Sequence, residues 1–409
     1  MVEYSKFFSE LTRRFRASDV RELLKMTEGR RIISFAGGLP DPRVFPKTEI
    51  GEIANMVARE LGEKALQYSP TPGVGEFRGV LKGFLERSRV RIGEGDEIVV
   101  TSGSQEALFL ASMALVSPGD VVLIEEPGYL AAINVFKALG ARLVPVRVDD
   151  EGLDPEHLAE VLRMLDGEGV RPKLVYTNPT SNNPSGTTMP IDRRREVLEL
   201  ASRYDLMVFE DDPYSFFTFD DSVRFEHLKT MDKEGRVVYF GTFSKILTPG
   251  LRLGWVAGPS EIVSRVELVK QIVDLHTSTL DQYIAMEAIR RGVVERVIEK
   301  AKILYRKKRD LMLSALDETM SDFASWTRPI GGFFIFLRIS GGIDMRSLFP
   351  KAVERGVAYV PGDAFYVTPG AGRNTARLSY SFNREEEIFE GVRLLSEVIK
   401  EGLASSGKA

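Results

Sequence analysis

The sequence predicts an α/β fold in which a mainly parallel sheet lies between layers of helices. Short runs rich in β-branched residues alternate with helical patterns along the chain, and this alternation is typical of βαβ units. The chain has 409 residues, of which 43% are hydrophobic, so it is long enough for one large core and a smaller second core. We therefore predict a large domain with a seven-stranded, mainly parallel sheet and a smaller α+β domain.

Seven short apolar runs are predicted to be the strands of the large sheet, because each is bounded by turn-forming residues and is too short for a helix. In chain order they are residues 97–101, 121–125, 143–148, 174–177, 206–211, 237–242 and 253–257. The spacing between them leaves room for a helix after most strands. This is the arrangement that parallel strands require.

The pattern changes after about residue 285, where apolar residues recur at helical intervals through Val293 and Ile303. This predicts a long helix that leaves the sheet domain. Further strands are predicted at 332–338, 357–360 and 376–381, and a final helix from Glu385 onward. We expect a large domain at residues 46–299 and a small domain built from both termini, residues 1–45 and 300–409.

The composition argues against several classes of partner. The 55 basic and 59 acidic residues are interspersed and leave a formal net charge of −4, so there is no basic stripe for nucleic acid or an anionic membrane. The longest apolar stretch, residues 107–116, is too short to cross a bilayer, and the N-terminus lacks the apolar segment of a signal peptide. We expect a cytoplasmic protein that binds neither nucleic acid nor membrane.

Metal and thiol chemistry are not expected either. The chain has no cysteine, which excludes disulfides, thiolate nucleophiles and zinc-thiolate sites. Its three histidines, His157, His227 and His276, are scattered along the chain without the spacing of metal ligands. We therefore predict no metal site.

Polar motifs follow the predicted strands, at the place where ligands bind in open α/β sheets. After the first strand, Gly103 relaxes the backbone and a helical run begins near Glu106. Backbone N–H groups at a helix N-terminus, with the positive end of the helix dipole, can bind a phosphate. Such a turn is more often a plain helix cap, so this motif becomes informative only together with the others.

Two adjacent carboxylates, Asp211 and Asp212, end another predicted strand, and Tyr214 follows them. A buried carboxylate at a strand end needs a cationic partner, because an unpaired charge there is costly or is neutralised. A protonated pyridine nitrogen would serve as that partner. A helix cap explains the same residues equally well when they are taken alone.

Lys245 follows a predicted strand directly after Ser244, and Arg252 comes seven residues later between two glycines. A lysine in this place can form an imine with an aldehyde if the site lowers its pKa from about 10.4. Ser244 and Arg252 could bind a phosphate dianion, the arginine through its bidentate fork. An isolated lysine is usually only a solvated charge, but this lysine has several polar motifs around it.

A loop rich in turn-forming residues follows the strand at 174–177. It contains two Asn-Pro pairs, Asn178-Pro179 and Asn183-Pro184. An asparagine amide here can donate a hydrogen bond to a phenolate-like oxygen without adding charge. Asn, Pro and Gly are also the usual residues of turns, which is the structural alternative.

Taken in order, these motifs resemble the fold-type I, class I and II aminotransferases. The resemblance is carried by Ser-Gly-Ser-Gln at 102–105, Asn-Pro-Ser-Gly at 183–186, Glu-Asp-Asp-Pro-Tyr at 210–214 and Thr-Phe-Ser-Lys-Ile-Leu-Thr-Pro-Gly-Leu-Arg-Leu-Gly at 242–254. Further motifs at 34–42, 66–70 and 374–380 resemble the subgroup that contains α-aminoadipate, kynurenine and archaeal aromatic aminotransferases. The resemblance extends from about residue 17 to residue 400.

The resemblance implies that pyridoxal 5′-phosphate is the cofactor. It implies that Lys245 forms the imine and then moves the proton between the substrate Cα and the cofactor, and that Asp211 pairs with the pyridinium nitrogen. The other implied cofactor contacts are Tyr214 and Asn183 at the ring oxygen, Tyr129 on the ring face, Gly103, Ser104, Gln105, Ser244 and Arg252 at the phosphate, and Tyr68 from a second subunit.

The resemblance also implies a set of substrate contacts. Arg377 matches the arginine that binds the substrate α-carboxylate, and Arg21 aligns with a mobile helix that contacts substrate side chains. If Arg21 has that role, it favours a distal carboxylate; otherwise it is a solvent-facing residue of an amphipathic helix. We choose Asn183 over Asn178 because Gly186 follows it and its distance from Asp211 fits the family. The implied substrate contacts are Arg377, Asn183, Gly38, Arg21 and Tyr68.

The function that the resemblance implies is transfer of the amino group of an L-amino acid to 2-oxoglutarate by a ping-pong ketimine mechanism in a homodimer. The donor stays open among 2-aminoadipate, aromatic or kynurenine-like amino acids, or a broad range. A β-lyase or a racemase-like enzyme would keep the same cofactor residues, whereas a non-catalytic binding protein would not need them all. Regulators with an aminotransferase-like domain carry a DNA-binding domain, for which the about 30 residues before Ser34 are too few.

Overall fold

A computed structural model describes residues 2–15, 25–26, 29, 31–220, 223 and 225–405. The strands are β1 (Ile33–Ser34), β2 (Asp96–Thr101), β3 (Val121–Glu126), β4 (Arg142–Asp149), β5 (Gly152–Leu153), β6 (Leu174–Thr177), β7 (Met207–Asp211), β8 (Val237–Thr242), β9 (Gly254–Pro259), β10 (Ala324–Trp326), β11 (Phe334–Ile339), β12 (Val357–Ala358), β13 (Val360–Pro361) and β14 (Thr375–Ser379).

The α-helices that the structure describes are α1 (Glu10–Arg14), α2 (Lys47–Glu60), α3 (Gly62–Ala65), α4 (Gly75–Arg87), α5 (Ser104–Leu115), α6 (Leu130–Leu139), α7 (Pro155–Gly167), α8 (Ile191–Arg203), α9 (Leu228–Met231), α10 (Phe243–Ile246), α11 (Ser260–Val273), α12 (Thr279–Arg290), α13 (Val293–Met320), α14 (Met345–Glu354) and α15 (Glu385–Ser405). Within these ranges, no helix combines the length and the apolar composition that crossing a membrane requires.

The large sheet has the strand order β2-β9-β8-β7-β6-β3-β4-β5. The strands from β8 through β4 are parallel to one another, whereas β9 is antiparallel to both β8 and β2. β2 therefore runs in the same direction as β8. As a result, the carboxyl ends of β2, β3, β6, β7 and β8 lie at one edge of the sheet, which we call the carboxyl edge.

Apolar side chains alternate along the strands of this sheet and cover both of its faces. Residues of α5 and α6 pack on one face, and residues of α7 and α8 pack on the other. Because the strands are buried on both faces, their sequences are nearly continuous apolar runs. The same burial leaves the strand ends as the place where polar side chains can reach a ligand.

All seven predicted strands of the large sheet are present, with small differences in their bounds. The predicted number was nevertheless wrong, because an eighth strand, β5, pairs antiparallel with β4 at one edge. β5 is two residues long, Gly152–Leu153. Two residues are too few to give a periodic pattern, so the sequence carried no signal for it.

The single long helix predicted after residue 285 is interrupted. α12 ends at Arg290 and α13 begins at Val293, because Gly292 has a left-handed backbone with φ of 65°. Apolar residues continue at helical intervals across this break, which hid it in the sequence. One member of the predicted apolar face, Ile303, is 74% exposed, so it does not belong to the core.

The smaller sheet is four-stranded and antiparallel, with the order β10-β11-β14-β13. The strand predicted at 357–360 is two strands: β13 belongs to this sheet, whereas β12 pairs in parallel with β1 near the N-terminus. β10 was not predicted. The predicted domain bounds, residues 46–299 for the large domain and 1–45 with 300–409 for the small one, stay a prediction. α1 contacts α6 of the large-sheet region, so the described N-terminal residues contact both regions.

A buried ion pair attaches the loop after β1 to the small-sheet region. The ammonium of Lys308, in α13, donates to Asp41 at 2.5 Å and to the carbonyl oxygen of Ser381 at 2.7 Å. Both charged side chains are almost fully buried. The hydroxyl of Ser381 also donates to the carbonyl oxygen of Leu39 at 2.7 Å. These bonds hold residues 39–41 in one place.

We expect Lys308→Met to lower the free energy of unfolding by about 3 kcal/mol, because it removes one partner of a buried carboxylate. Arg43 Nη2 still pairs with Asp41 at 2.7 Å in this variant, so the carboxylate keeps one cationic partner, and Asp41→Asn in the same chain should restore only part of the loss. Urea denaturation followed by circular dichroism measures both effects. Lys307→Met is the matched control: Lys307 is 65% exposed in its contact with Glu385, so its loss should cost less than about 1 kcal/mol. Equal losses in the two methionine variants would contradict the prediction.

Candidate active site

A cleft of about 1950 Å³ opens at the carboxyl edge of the large sheet, and the small-sheet region forms its other wall. Most residues that the sequence singled out line this one cleft. They are Gly38, Ser104, Gln105, Tyr129, Asn183, Asp211, Tyr214, Ser244, Lys245, Arg252 and Arg377. The fold therefore brings together residues that are as much as 339 positions apart, from Gly38 to Arg377.

Lys245 lies on α10, the short helix that follows β8. The Thr242 hydroxyl caps this helix by accepting a hydrogen bond from the Ser244 N–H at 3.0 Å. The Lys245 ammonium donates to the carbonyl oxygen of Gly38 at 2.9 Å. Burial, together with the nearby positive charges of Arg377 and Arg252, lowers the pKa of Lys245 to about 8. The neutral, nucleophilic amine is therefore about a tenth of the total at pH 7, far more than for an ordinary lysine.

Asp211 ends β7 and presents one free oxygen to the cleft. Its Oδ2 accepts a hydrogen bond from the Tyr176 hydroxyl at 2.6 Å, whereas its buried Oδ1 has no partner among the described residues. Burial raises the pKa of Asp211 to about 7; the Tyr176 hydrogen bond opposes this rise and the charge of Asp212 adds to it. A buried acceptor without a partner at a cleft indicates that a ligand supplies the donor.

The N-terminus of α5 forms a second part of the site. Gly103 precedes this helix with φ of 86°, and no side chain caps the helix start. Ser104 and Gln105, the first helical residues, line the cleft. A Cβ atom at Gly254 would lie 2.5 Å from the Gly103 carbonyl carbon, so only glycine fits beside this turn. Uncapped N–H groups at a helix start suit a phosphate.

Arg252 supplies positive charge beside this helix start. Its guanidinium donates to Ser244 Oγ at 3.1 Å and to the carbonyl oxygen of Ser102 at 3.3 Å. A Cβ atom at Gly103 would collide with the guanidinium, so the absence of a side chain there allows the close approach. Arg252, Ser244 and the helix N-terminus together can bind a dianion such as phosphate.

Arg377, on β14, lies in the opposite wall between two aromatic rings. Its guanidinium carbon is 4.3 Å from the ring centre of Phe334 and 5.1 Å from that of Phe365. It donates to Asn183 Oδ1 at 2.8 Å and to the carbonyl oxygen of Ala36 at 2.6 Å. Burial lowers the pKa of Arg377 to about 10, so it stays cationic at neutral pH. A buried guanidinium in a cleft is suited to a carboxylate ligand.

The two Asn-Pro pairs have different places in the structure. Both asparagines line the cleft, but only Asn183 contacts Arg377. Asn178 fixes the loop by accepting the Asn183 N–H at 2.7 Å and donating to the carbonyl oxygen of Asp211. Glu125, at the end of β3, anchors the same loop through the Asn178 N–H at 3.0 Å and the Asn182 amide at 2.8 Å. Burial raises the pKa of Glu125 to about 7.

Two tyrosines place phenol groups in the cleft. Tyr214 is 4% exposed and packs against Phe333 and Phe334, with ring centres 5.2 and 5.7 Å away. Burial raises the pKa of Tyr214, and it raises the pKa of Tyr129 to about 12. Both hydroxyls are therefore protonated at neutral pH and can donate to an anionic oxygen.

Three predicted residues are not part of this lining. Gly103 lies next to it, as described above. Tyr68 is 78% exposed and contacts His276 edge-on, with ring centres 5.6 Å apart. Arg21 lies outside the described residues. In the part of the chain that is described, no group of three or more His, Asp or Glu side chains could hold a metal ion.

The sequence did not single out Tyr176, which donates a hydrogen bond to Asp211, or Glu125, which accepts hydrogen bonds from the loop that carries Asn183. Both belong to predicted strands, where a tyrosine or a terminal glutamate is common. The one available signal was a carboxylate directly after the apolar run 121–124. Their partners lie 35 and 52 or more positions further along the chain, so only the folded structure brings them together.

The chain matches a family model and several characterised relatives. The model for aminotransferase class I and II matches residues 43–387. The chain is 43% identical over 401 residues to aromatic-amino-acid aminotransferase 1 of Thermococcus litoralis, covering 98% of this chain and 95% of that protein. It is 38% identical over 406 residues to 2-aminoadipate transaminase of Thermus thermophilus, covering 98% and 99% of the two chains.

A solved structure extends this similarity to three dimensions. The crystal structure of a kynurenine aminotransferase of Pyrococcus horikoshii, in complex with PMP, superimposes with a TM-score of 0.95 at 43% sequence identity. The match covers 98% of each chain. The architecture described above is thus shared over nearly the whole length.

Competitive acetylation tests the state of Lys245 in the protein freed of bound small molecules. We expect the labelling of Lys245 by trace acetic anhydride to rise with a midpoint near pH 8, because burial and two arginines disfavour its charged form. Peptide mass spectrometry measures the labelling at each pH. Arg377→Met removes one of the positive charges and should move the midpoint upward. A midpoint at the ordinary lysine value of about 10.4 would contradict the prediction.

Proposed function

Because the chain belongs to the class I and II aminotransferase family, we propose that Lys245 holds pyridoxal 5′-phosphate in this cleft and that an L-amino acid donates its amino group there. The chain is a pyridoxal phosphate-dependent aminotransferase, and its α/β architecture is that of fold-type I enzymes. One observation carries the assignment of the site: the amine of Lys245, the unpaired oxygen of Asp211 and the guanidinium of Arg377 line the same cleft.

The residues present fit the cofactor at each of its polar groups. Asp211 Oδ1 has no donor within the described part of the chain and would accept the N–H of a protonated pyridine ring. The N-terminus of α5, Ser244 and Arg252 would hold the phosphate. Asn183 Oδ1 already accepts from Arg377, which leaves the amide Nδ2 to donate to the ring oxygen. The residues proposed for the remaining contacts are Tyr214 at the ring oxygen and Tyr129 on the ring face.

When bound, pyridoxal phosphate supplies an aldehyde carbon that bonds to amino groups and a protonated ring that withdraws electrons from the substrate Cα. Lys245, whose amine would be free once the substrate amino group is bound, would act as the general base that takes the proton from the substrate Cα and delivers it to the cofactor's former aldehyde carbon. A pKa near 8 suits this work at neutral pH, because both protonation states are accessible. A cationic ring nitrogen beside Asp211 would favour the ionised carboxylate, and the carboxylate would in turn keep that nitrogen protonated.

Arg377 orients the substrate by binding its α-carboxylate. Its Nε is buried without a partner among the described residues, and the rings of Phe334 and Phe365 beside the guanidinium help to shield it from water. Exclusion of water strengthens the ion pair between the guanidinium and the carboxylate. Gly38 lines the same cleft, so its backbone can lie against the substrate. A Cβ atom there would come 2.7 Å from the Phe334 ring, so only glycine fits.

We propose 2-oxoglutarate as the amino acceptor and a ping-pong order of the two half-reactions. Donor and acceptor each carry an α-carboxylate that Arg377 would bind, and Arg377 can bind one of them at a time, which supports this order. The relatives named for aromatic amino acids, 2-aminoadipate and kynurenine support a donor of this range. We also propose, from the sequence, that Arg21 contacts the substrate side chain and that the protein is cytoplasmic.

We further propose a homodimer in which Tyr68 reaches the partner's cleft. Tyr68 and its neighbour Leu66 are 78% and 69% exposed, and Ile272 and Leu275 are also exposed in the segment before His276, which Tyr68 contacts. Exposed apolar residues on adjacent segments are typical of a protein interface. The exposure of Tyr68 and its distance from the lining of its own cleft favour a contact across that interface.

The first test of function is a half-reaction without an acceptor. We expect a suitable L-amino acid to be converted to its 2-oxo acid while the visible absorption of the bound cofactor changes, and 2-oxoglutarate to reverse that change. A donor panel of 2-aminoadipate, kynurenine, aromatic amino acids, leucine and glutamate ranks the substrates. Pyruvate and ammonia from a single substrate would contradict aminotransfer.

Replacement of Lys245 in the same assay tests whether this residue binds the cofactor. Lys245→Ala should lose the visible band of the lysine-bound cofactor and about 10³-fold or more of the activity, because the general base is removed. Lys137→Ala is the matched control, since Lys137 lines the cleft from α6 but is exposed and outside the proposed machinery. Retention of the visible band in Lys245→Ala would overturn the assignment.

Subunit exchange tests the shared site. Lys245→Ala and Tyr68→Ala should each be impaired as homodimers, whereas hybrids contain one cleft with both native residues. Activity should therefore rise when the two variants are unfolded and refolded together. Refolding each variant alone is the control. If mixing restores no activity although hybrid dimers are isolated by two affinity tags, Tyr68 does not act across the interface.

A further inference from the structure

Two neighbouring carboxylates at the end of β7 each accept a hydrogen bond from a buried tyrosine. The Tyr176 hydroxyl donates to Asp211 Oδ2 at 2.6 Å, and the Tyr239 hydroxyl donates to Asp212 Oδ2 at 2.8 Å. Both tyrosines are 0% exposed. Successive side chains of a strand point to opposite faces, so the two pairs lie on opposite sides of the sheet.

The two carboxylates differ in what else they contact. Asp212 accepts further hydrogen bonds from the Ser215 N–H at 3.0 Å and the Ser215 hydroxyl at 2.6 Å, and its Oδ2 lies 3.3 Å from His227 Nδ1. Asp211 lines the cleft, and its Oδ1 has no partner among the described residues. Tyr176 is thus the side chain that holds the Asp211 carboxylate from the protein side.

We propose that Tyr176 is a positioning residue that turns Asp211 Oδ1 toward the cofactor and keeps the carboxylate ionised there. The proposal rests on the proposed function, because it concerns the ring nitrogen that Asp211 would pair with. A hydroxyl that donates to Oδ2 leaves Oδ1 as the acceptor that faces the cleft. It also favours the anion over the neutral acid, since the hydrogen bond is stronger to a charged oxygen.

A neutral donor is suited to this task for an electrostatic reason. A cationic partner such as arginine would neutralise Asp211 and weaken its attraction for a protonated ring nitrogen. The tyrosine hydroxyl stabilises the anion without cancelling its charge. It offsets part of the desolvation that otherwise drives a buried carboxylate to take up a proton.

The surroundings of Tyr176 prevent its hydroxyl from turning away. Tyr176 lies on β6, between the parallel neighbours β3 and β7, and is paired with Phe209 in register. Its ring packs edge-on against Phe136 of α6, with ring centres 6.0 Å apart. Burial raises the pKa of Tyr176 well above its usual value, so the hydroxyl keeps its proton and stays a donor.

The test compares Tyr176→Phe with Tyr239→Phe. Each substitution removes one hydroxyl that donates to a buried aspartate, and each keeps the aromatic ring. We expect Tyr176→Phe to raise the dissociation constant of pyridoxal phosphate about tenfold to a hundredfold, as loss of a hydrogen bond to a charged group does. Titration of cofactor-free protein, followed by absorbance, measures this constant. Tyr239→Phe should bind the cofactor like the unaltered protein.

The pH dependence of binding separates this role from a merely structural one. Binding should weaken as the pH falls and Asp211 takes up a proton. Without the Tyr176 hydrogen bond this weakening should begin at a higher pH, because the ionised form is less favoured. Tyr239→Phe should keep the pH profile of the unaltered protein even if it loses as much thermal stability as Tyr176→Phe does. Identical affinities and profiles in the two variants would overturn the proposal.

A double-mutant cycle with Asp211→Asn gives a second test. If Tyr176 acts through Asp211, Tyr176→Phe should add little loss of cofactor affinity in the Asp211→Asn background. An equal loss in both backgrounds would overturn the proposal. Failure of the proposed function looks different: the unaltered protein would then bind no pyridoxal phosphate or would catalyse no aminotransfer.

Discussion

Burial of ionisable groups at the carboxyl edge of the large sheet is the constraint on which the site depends. Burial lowers the pKa of Lys245 and Arg377 and raises the pKa of Asp211, so it favours the neutral form of each group. Buried ionisable groups destabilise a fold unless they have hydrogen-bond or charge partners. Here the described residues supply only some of those partners. Asp211 Oδ1 and Arg377 Nε stay unpaired among the described residues. In the proposed function, a cofactor with a cationic ring nitrogen and a substrate with a carboxylate would complete the pairing.

The topology explains how these groups meet. Because β2 and the parallel strands run in one direction, the residues after their carboxyl ends converge on a single cleft. The small-sheet region adds Arg377 from the other side. The loop after β1 connects the two walls, since the carbonyl oxygen of Gly38 accepts from Lys245 and that of Ala36 accepts from Arg377. The Lys308–Asp41 ion pair fixes the same loop, so it helps to place the two carbonyl oxygens that accept from Lys245 and Arg377.

Much of this arrangement could be predicted from local patterns. The strand positions follow from apolar runs, and the lysine motif at 242–254 with its ordered neighbours led to the aminotransferase family, which the family model and relatives confirm. Other features left a weak local trace or none. The break at Gly292 interrupts a continuous helical pattern, and β5 is two residues long. The sequence also offered two Asn-Pro pairs, and their separate contacts appear only in the folded chain.

The sequence by itself determined the class of fold through its apolar runs, and its ordered motifs identified the family, which in turn implied the cofactor and the kind of reaction. The tertiary structure decided which groups are buried and which atoms are left without a partner. Tyr176 and Asp211 are 35 positions apart, and their contact exists only because β6 and β7 are neighbours in the sheet. Desolvation and hydrogen bonding act through distances in space, so the free oxygen of Asp211 and the lowered pKa of Lys245 could not be derived from spacing along the chain.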